Sequence, residues 1–183
     1  MFWDSPGEWQ EAQLSLAFQM KRHFGQALPD DQGGDMKALA DAIAGKIKGI
    51  DGVLDRLCDR TCPECKDPCC KRAVVRYDLR DLIFLHLVQN GLPLGQPAPR
   101  AGEPCFCLGE KGCMVDRLMR PFMCTWYLCP GQMAVVRTEK SWREYGLAER
   151  LREIQNDRKE LERLFLKRVA PNDISFEGCL SWA

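Results

Sequence analysis

Histidine, excess charge and long apolar runs are what this chain has little of. Its 183 residues include two histidines, His23 and His86, so any metal site must be nearly all sulfur. Lys+Arg and Asp+Glu are equal at 26 each, and the formal net charge is zero. That balance gives no electrostatic reason to expect nucleic acid or an anionic membrane as partner. No apolar run approaches the roughly 20 residues that span a bilayer. The first residues, MFWDSPGEWQEAQ, have neither the basic start nor the apolar stretch of a secretory signal. The expected compartment is therefore the reducing cytoplasm. A phosphate loop, a nucleophile–base pair and paired catalytic carboxylates are also missing, which argues against an independent hydrolase and leaves enzymatic activity open. Asp78 and Asp81 read as helix-cap chemistry rather than as an acid/base pair.

Cysteine is what the chain has in excess, with 11 residues. An odd total at cytoplasmic redox poise argues against a disulfide scaffold. All but Cys179 fall between Cys58 and Cys129. The first cluster reads Cys58-x3-Cys62-Pro-Glu-Cys65-x3-Cys69-Cys70, and the second Cys105-x-Cys107-x5-Cys113-x10-Cys124-x4-Cys129-Pro130. Cys62-x-x-Cys65 is a spacing at which a tight turn aims two thiolates and nearby backbone N–H groups at one ion. Thiols this dense point to metal coordination, and all-thiolate sites suit zinc, iron–sulfur clusters or Cu(I). An excess of sulfur over what one zinc needs, and the proline after Cys129, favour iron. The Cys62-x-x-Cys65 knuckle, and ligands enough for two four-thiolate sites, favour zinc. Convergence of the two clusters is expected, because adjacent Cys69 and Cys70 would crowd a site built from the first half alone.

The periodicity predicts a mainly α single domain, 1–183, with a small irregular or β layer carrying the cysteines. Residues 1–57 are expected to be helical, 58–130 to form the metal-binding core, and 131–183 a helix and tail. A helix is predicted from Ser5 to about Phe24, followed by a loop over 29–34. Asp35 is then expected to cap a helix whose Met36, Ala40, Ile43, Ile47, Ile50, Leu54 and Leu57 share one face. Ala38, Ala42, Gly45, Gly49 and Gly52 lie nearly opposite. They either admit a close backbone neighbour or simply weaken the helix. A short strand is predicted over 72–77, a helix over 79–89 capped by Asp78, and a hairpin around 109–112. Ser141 with Glu144 reads as a capping box opening a charged helix to Val169. His86, in an apolar helical stretch, reads as a packed helix residue rather than a ligand.

Cys62-x-x-Cys65-x3-Cys69-Cys70, Cys105-Phe-x-Leu108, Gly112-Cys113 and Arg120-Pro121-x-x-Cys124 together resemble the CxxCxxCC, or YkgJ-like, family of zinc- or iron-chelating cysteine-cluster domains. The match spans about residues 58 to 130. It implies Cys62, Cys65, Cys69, Cys70, Cys105, Cys113 and Cys124 as ligands, with Cys129 at a less uniform family position. Cys58, Cys107 and Cys179 look extra to it. Six residues separate Cys113 from Arg120, one more than the commonest family pattern. A similar cluster occurs in flagellin lysine methylases. Arg120 is expected to donate to the sulfurs, with Lys66, Lys71 and Lys111 nearby in sequence. Three roles then compete: a zinc-stabilised helical adaptor that binds a protein partner through its helices, an iron–sulfur redox accessory of a protein-modifying, methyl-transfer-like system, and a redox or metal sensor.

Overall fold

The computed structural model describes residues 30–63, 65–66, 68–71, 73–89, 93, 97, 104–109 and 112–169. The helix expected from Ser5, most of the connection at 91–104, and Cys179 lie outside them. The described residues are mostly helical: Asp30–Thr61 (α1), Leu79–Gln89 (α2), Met123–Trp126 (α3), Pro130–Thr138 (α4), Lys140–Glu144 (α5) and Leu147–Val169 (α6). Leu108–Gly109 (β1) and Gly112–Cys113 (β2) form one antiparallel hairpin, with Leu108 opposite Cys113 and Gly109 opposite Gly112. No described helix is long and apolar enough to cross a membrane.

All seven residues of the stripe predicted on α1 are buried. The helix begins at Asp30 rather than after a cap at Asp35, and runs to Thr61. Extending an existing helix costs far less than nucleating one, so Gly33-Gly34 does not stop it. Among the described residues, no backbone packs closely on the small-residue face at Gly45 or Gly49. A Cβ added at Gly45 or Gly49 would meet no atom within 4 Å. Of the two readings of that face, the described residues favour the weakened helix.

Three other expectations need correction. The strand at 72–77 does not form among the described residues, where Val75 alone makes a β-bridge. The backbone there is instead tied to the preceding turn by Ala73 N–H donating to Cys69 O at 2.7 Å. The C-terminal helix is two helices, because Gly146 takes φ 68° and interrupts the ladder between them. The first of these starts at Lys140, so the capping position is Glu139 and not Ser141.

The chain divides into two compact units. In the first, described at 30–43, 77–89, 93 and 156–169, Leu82, Ile83, Leu85, Leu161 and Phe165 are almost fully buried. The start of α2 is a reciprocal cap. Asp81 N–H donates to Asp78 Oδ1 at 2.8 Å, and Asp78 N–H to Asp81 Oδ2 at 3.0 Å. This is the cap chemistry expected of the pair, with aspartate in the place Glu or Gln usually takes. Arg158 occupies the next position in the apolar stripe of α6, 3% exposed, and donates to Asp81 Oδ1 at 2.7 Å. Arg80 Nε also reaches Glu162 Oε2 at 2.7 Å.

The second unit, described at 44–63, 65–66, 68–71, 73–76, 97, 104–109 and 112–155, contains every described cysteine. Ile47, Ile50, Leu54, Leu57, Leu147, Leu151 and Ile154 are among its buried aliphatics. Arg117 is its buried cation and pairs with Asp51 and Asp55 of α1. Tyr145 Oη donates to Gly49 O at 2.8 Å, and Arg60 meets Glu139 at 2.5 Å.

Candidate metal centre

The first cluster begins where α1 ends. Cys62 N–H donates to Cys58 O at 2.7 Å, which carries the helical turn onto Cys62. Cys65 N–H then donates to Cys62 O at 3.1 Å, closing the Cys62-x-x-Cys65 turn. Cys65 is exposed. Cys69 and Cys70 sit in a 3-10 turn, Cys69–Lys71, with Cys69 exposed and Cys70 half-buried.

The second cluster folds onto the first. Cys105 N–H donates to Cys70 O at 2.9 Å, so the expected convergence is made in the backbone itself. Leu108 N–H donates to Cys105 O at 3.0 Å and Met114 N–H to Cys107 O at 2.9 Å, which folds the β1–β2 hairpin against its own lead-in. Val75, Cys105 and Cys107 form a buried apolar nucleus. Cys70, Cys113, Cys124, Met123 and Val115 pack against it. Four candidate ligands, Cys70, Cys105, Cys113 and Cys124, are thereby brought to one place together with Cys107.

Cys129 stands apart from that nucleus. It occupies the N-cap position of α4, with Pro130 at the first helical position. The sequence reading took Cys129-Pro130 only as a cluster ending and missed this helix, because cysteine is not a usual capping residue. Gln132, 7% exposed, accepts from Cys129 N–H through Oε1 at 3.2 Å and donates from Nε2 to Cys58 Sγ at 3.5 Å. Gln132 did not stand out in the sequence, and Cys58 stood out only as a cysteine extra to the family pattern. A glutamine three residues after a helix start was the available signal.

The thiols meet in pairs. Burial, then the neighbouring Cys58 thiol, pushes the Cys62 thiol up to about 11. Burial, with Cys105 and Cys113 beside it, pushes Cys107 to about 11. Cys70 donates its hydrogen bond to Cys69, which brings the Cys69 thiol down to about 6 and raises Cys70. Arg120 lies close enough to favour the Cys107 thiolate, though its Nε donates to Val115 O at 2.7 Å. Lys66 and Lys71 are exposed, and Lys111 lies outside the described residues.

Among the described residues, no three His, Cys, Asp or Glu side chains are arranged to hold an ion. The donor chemistry nevertheless fits a thiolate-bound metal. The gathered donors are all sulfur, the ligand type that zinc and iron–sulfur centres take as thiolate. His86 lies in α2, in the other unit, half-buried. Burial lowers its pKa from the ordinary 6.5.

Comparison with protein-family models, with curated proteins and with solved structures finds no match to this chain.

Proposed function

We propose that this protein binds an iron–sulfur cluster or zinc through cysteine thiolates, in the manner of the CxxCxxCC, YkgJ-like domains its motifs resemble. The carrying observation is the folding of Cys105 onto Cys70, with Cys113 and Cys124 packed around the same nucleus. Cysteines 35 residues apart have no reason to share a pocket for chain geometry alone. The metal supplies the cross-link between the two clusters that their few backbone bonds do not, and an iron–sulfur centre would add one-electron chemistry. The chain's own residues hold the sulfurs: the end of α1 presents Cys58 and Cys62, the hairpin presents Cys113, and α3 presents Cys124. The reading places the protein in the cytoplasm, as a single metal-stapled domain.

A redox accessory role is favoured over an adaptor that uses only its helices. Among the described residues, the large exposed apolar side chains are Phe106, Met114, Trp126, Tyr127 and Val74, and all lie on cysteine-bearing segments or beside them. A partner meeting those side chains would meet the sulfur centre. The test is anaerobic purification followed by metal and acid-labile sulfide analysis with a visible spectrum. A brown protein that bleaches on reduction supports iron–sulfur. A colourless protein with about two zincs per chain supports zinc. A metal-free protein that is fully folded overturns the proposal.

A further inference from the structure

We infer that Cys58 and Cys62 form a thiol–disulfide exchange site at the end of α1, a dithiol that a low-molecular-weight disulfide oxidises to an internal bridge. The inference goes beyond the thiolate–metal reading and needs no metal. Neither residue is among those packed on the Val75 nucleus, where Cys70, Cys105, Cys113 and Cys124 gather.

The backbone sets the reach. Cys62 N–H donates to Cys58 O at 2.7 Å, so the last turn of α1 carries through to Cys62 and the two side chains leave the same face. Helical rise and radius put Cα atoms four residues apart at about 6 Å. A disulfide bridges Cα separations of about 4.4–6.8 Å. The side chains use that reach, for the Cys62 thiol lies within hydrogen-bond distance of the Cys58 sulfur. Both residues are half-buried rather than enclosed, which leaves them open to a small disulfide.

Cys65 is the competing partner, because Cys62-x-x-Cys65 is the spacing of many redox dithiols. Cys65 is exposed, and the thiols that bear on Cys62 are Cys58 and, more weakly, Cys69. Spacing points to Cys65 and contact points to Cys58. Gln132 adds to the second. This buried amide accepts from Cys129 N–H through Oε1, and that bond aims its Nε2 at Cys58 Sγ, 3.5 Å away. An N–H donor directed at sulfur favours negative charge there, which suits the attacking sulfur.

The exchange has two steps. The Cys58 thiolate attacks one sulfur of the small disulfide, whose S–S bond breaks; a mixed disulfide forms on Cys58 and the first small thiolate leaves. Cys62 loses its proton and attacks the Cys58 sulfur of that mixed bond; the internal bridge forms and the second small thiolate leaves. The leaving thiolates take up the protons that Cys58 and Cys62 lost. Two protein thiols are oxidised, and one small disulfide is reduced to two thiols.

The experiment exposes the full chain, purified without oxygen, to oxidised glutathione and maps disulfides by peptide mass after free thiols are blocked. The expected product links segment 57–60 to segment 61–66 through one disulfide. Cys65→Ser should form the same link, which places it on Cys62. Cys62→Ser should lose the link and retain glutathione on Cys58, because the second attack is missing. A link lost in Cys65→Ser and kept in Cys62→Ser overturns the assignment. The wild-type map needs no variant to fold, and its lack of the link both before and after chelation also overturns it. Zinc and iron counted in the same samples keep the two readings apart. A metal-free wild-type chain that forms the link counts against the metal reading alone, whereas a metal-loaded chain that fails to form it even after chelation counts against the exchange site alone.

Discussion

Among the described residues each unit buries one arginine, and the two are treated differently. Arg158, in the helical unit, is 3% exposed and makes its 2.7 Å hydrogen bond to Asp81, whose other oxygen caps α2. Arg117, in the cysteine-bearing unit, is 5% exposed. It donates through its Nη2 to Asp55, but its Nε lies 2.5 Å from Asp51 Oδ1 without hydrogen-bond geometry. Those two buried atoms have no hydrogen-bond partner among the described residues. Burial raises the pKa of Asp51 in spite of the arginine. One unit closes its polar groups on each other. The other holds an ion pair without hydrogen-bond geometry and a set of gathered thiols, the latter organised by metal on the proposed reading. The units thus differ in what each requires to be stable.

The largest test of that difference is removal of metal. Structural zinc in small thiolate sites supplies about 10–16 kcal/mol of apparent binding free energy, which is folding free energy where no site preforms. Chelation should therefore strip hydrogen-exchange protection from 105–129, and leave α2 and residues 158–165 of α6 protected. Equal loss in both units would break the comparison. So would unchanged thermal stability after complete removal.

Next in size is the buried ion pair. Asp81→Ala takes from the buried Arg158 its 2.7 Å partner, leaves it the longer contact to Asp78 at 3.4 Å, and removes a capping partner, for an expected cost of about 3 kcal/mol. Asp51→Asn should cost less than half of that, because Arg117 keeps Asp55 and burial already disfavours the Asp51 carboxylate. Urea unfolding of the two variants measures both. Equal costs would mean that the two arginines are held alike.

The helical unit was the more legible of the two in sequence, for a physical reason. The burial of α1 and α6 follows from one-face periodicity, and the Asp78–Asp81 cap from local spacing, so both can be read within a window of a few residues. Arg158 was missed because a charge inside an apolar stripe looks like a gap in the pattern; only its pairing with Asp81, 77 residues away, explains it. In the cysteine-bearing unit the motif showed which residue type would carry the chemistry, and the 108–113 hairpin was legible from its glycines. Which sulfurs meet was not. Cys58 and Cys107 looked extra because no spacing rule includes them, and their neighbours Gln132 and Arg120 come from distant or irregular backbone. The helix at 130–138 was hidden by reading Pro130 as part of a metal motif when it is also a helix start.

A smaller effect sharpens the comparison within α1. With open space around a Cβ at Gly45 and Gly49, alanine removes backbone freedom from the unfolded chain and introduces no clash. Gly45→Ala and Gly49→Ala should each stabilise the protein by about 1 kcal/mol, additively to within a few tenths. Destabilisation by either would show that this face is covered by a close neighbour, and would restore the reading that the structure displaces.

The smallest effect belongs to His86, and it isolates the helical unit from the thiols. Burial lowers its folded-state pKa below the 6.5 of an exposed imidazole. The unfolded chain then binds the proton more readily than the folded one between those two values. Stability from the neutral ring is fully present above pH 6.5 and is lost as pH falls through that window to the folded value. One such group contributes a slope of at most about 1.4 kcal/mol per pH unit. Carboxylates and thiols titrate in the same protein, so the quantity to measure is the difference between wild type and His86→Gln. Unfolding free energies of both should run parallel above pH 7 and converge or cross on acidification toward pH 5, the wild type losing more. Parallel curves throughout would show that the ring is as well solvated folded as unfolded, and that the helical unit, too, leaves its interior open to water at that point.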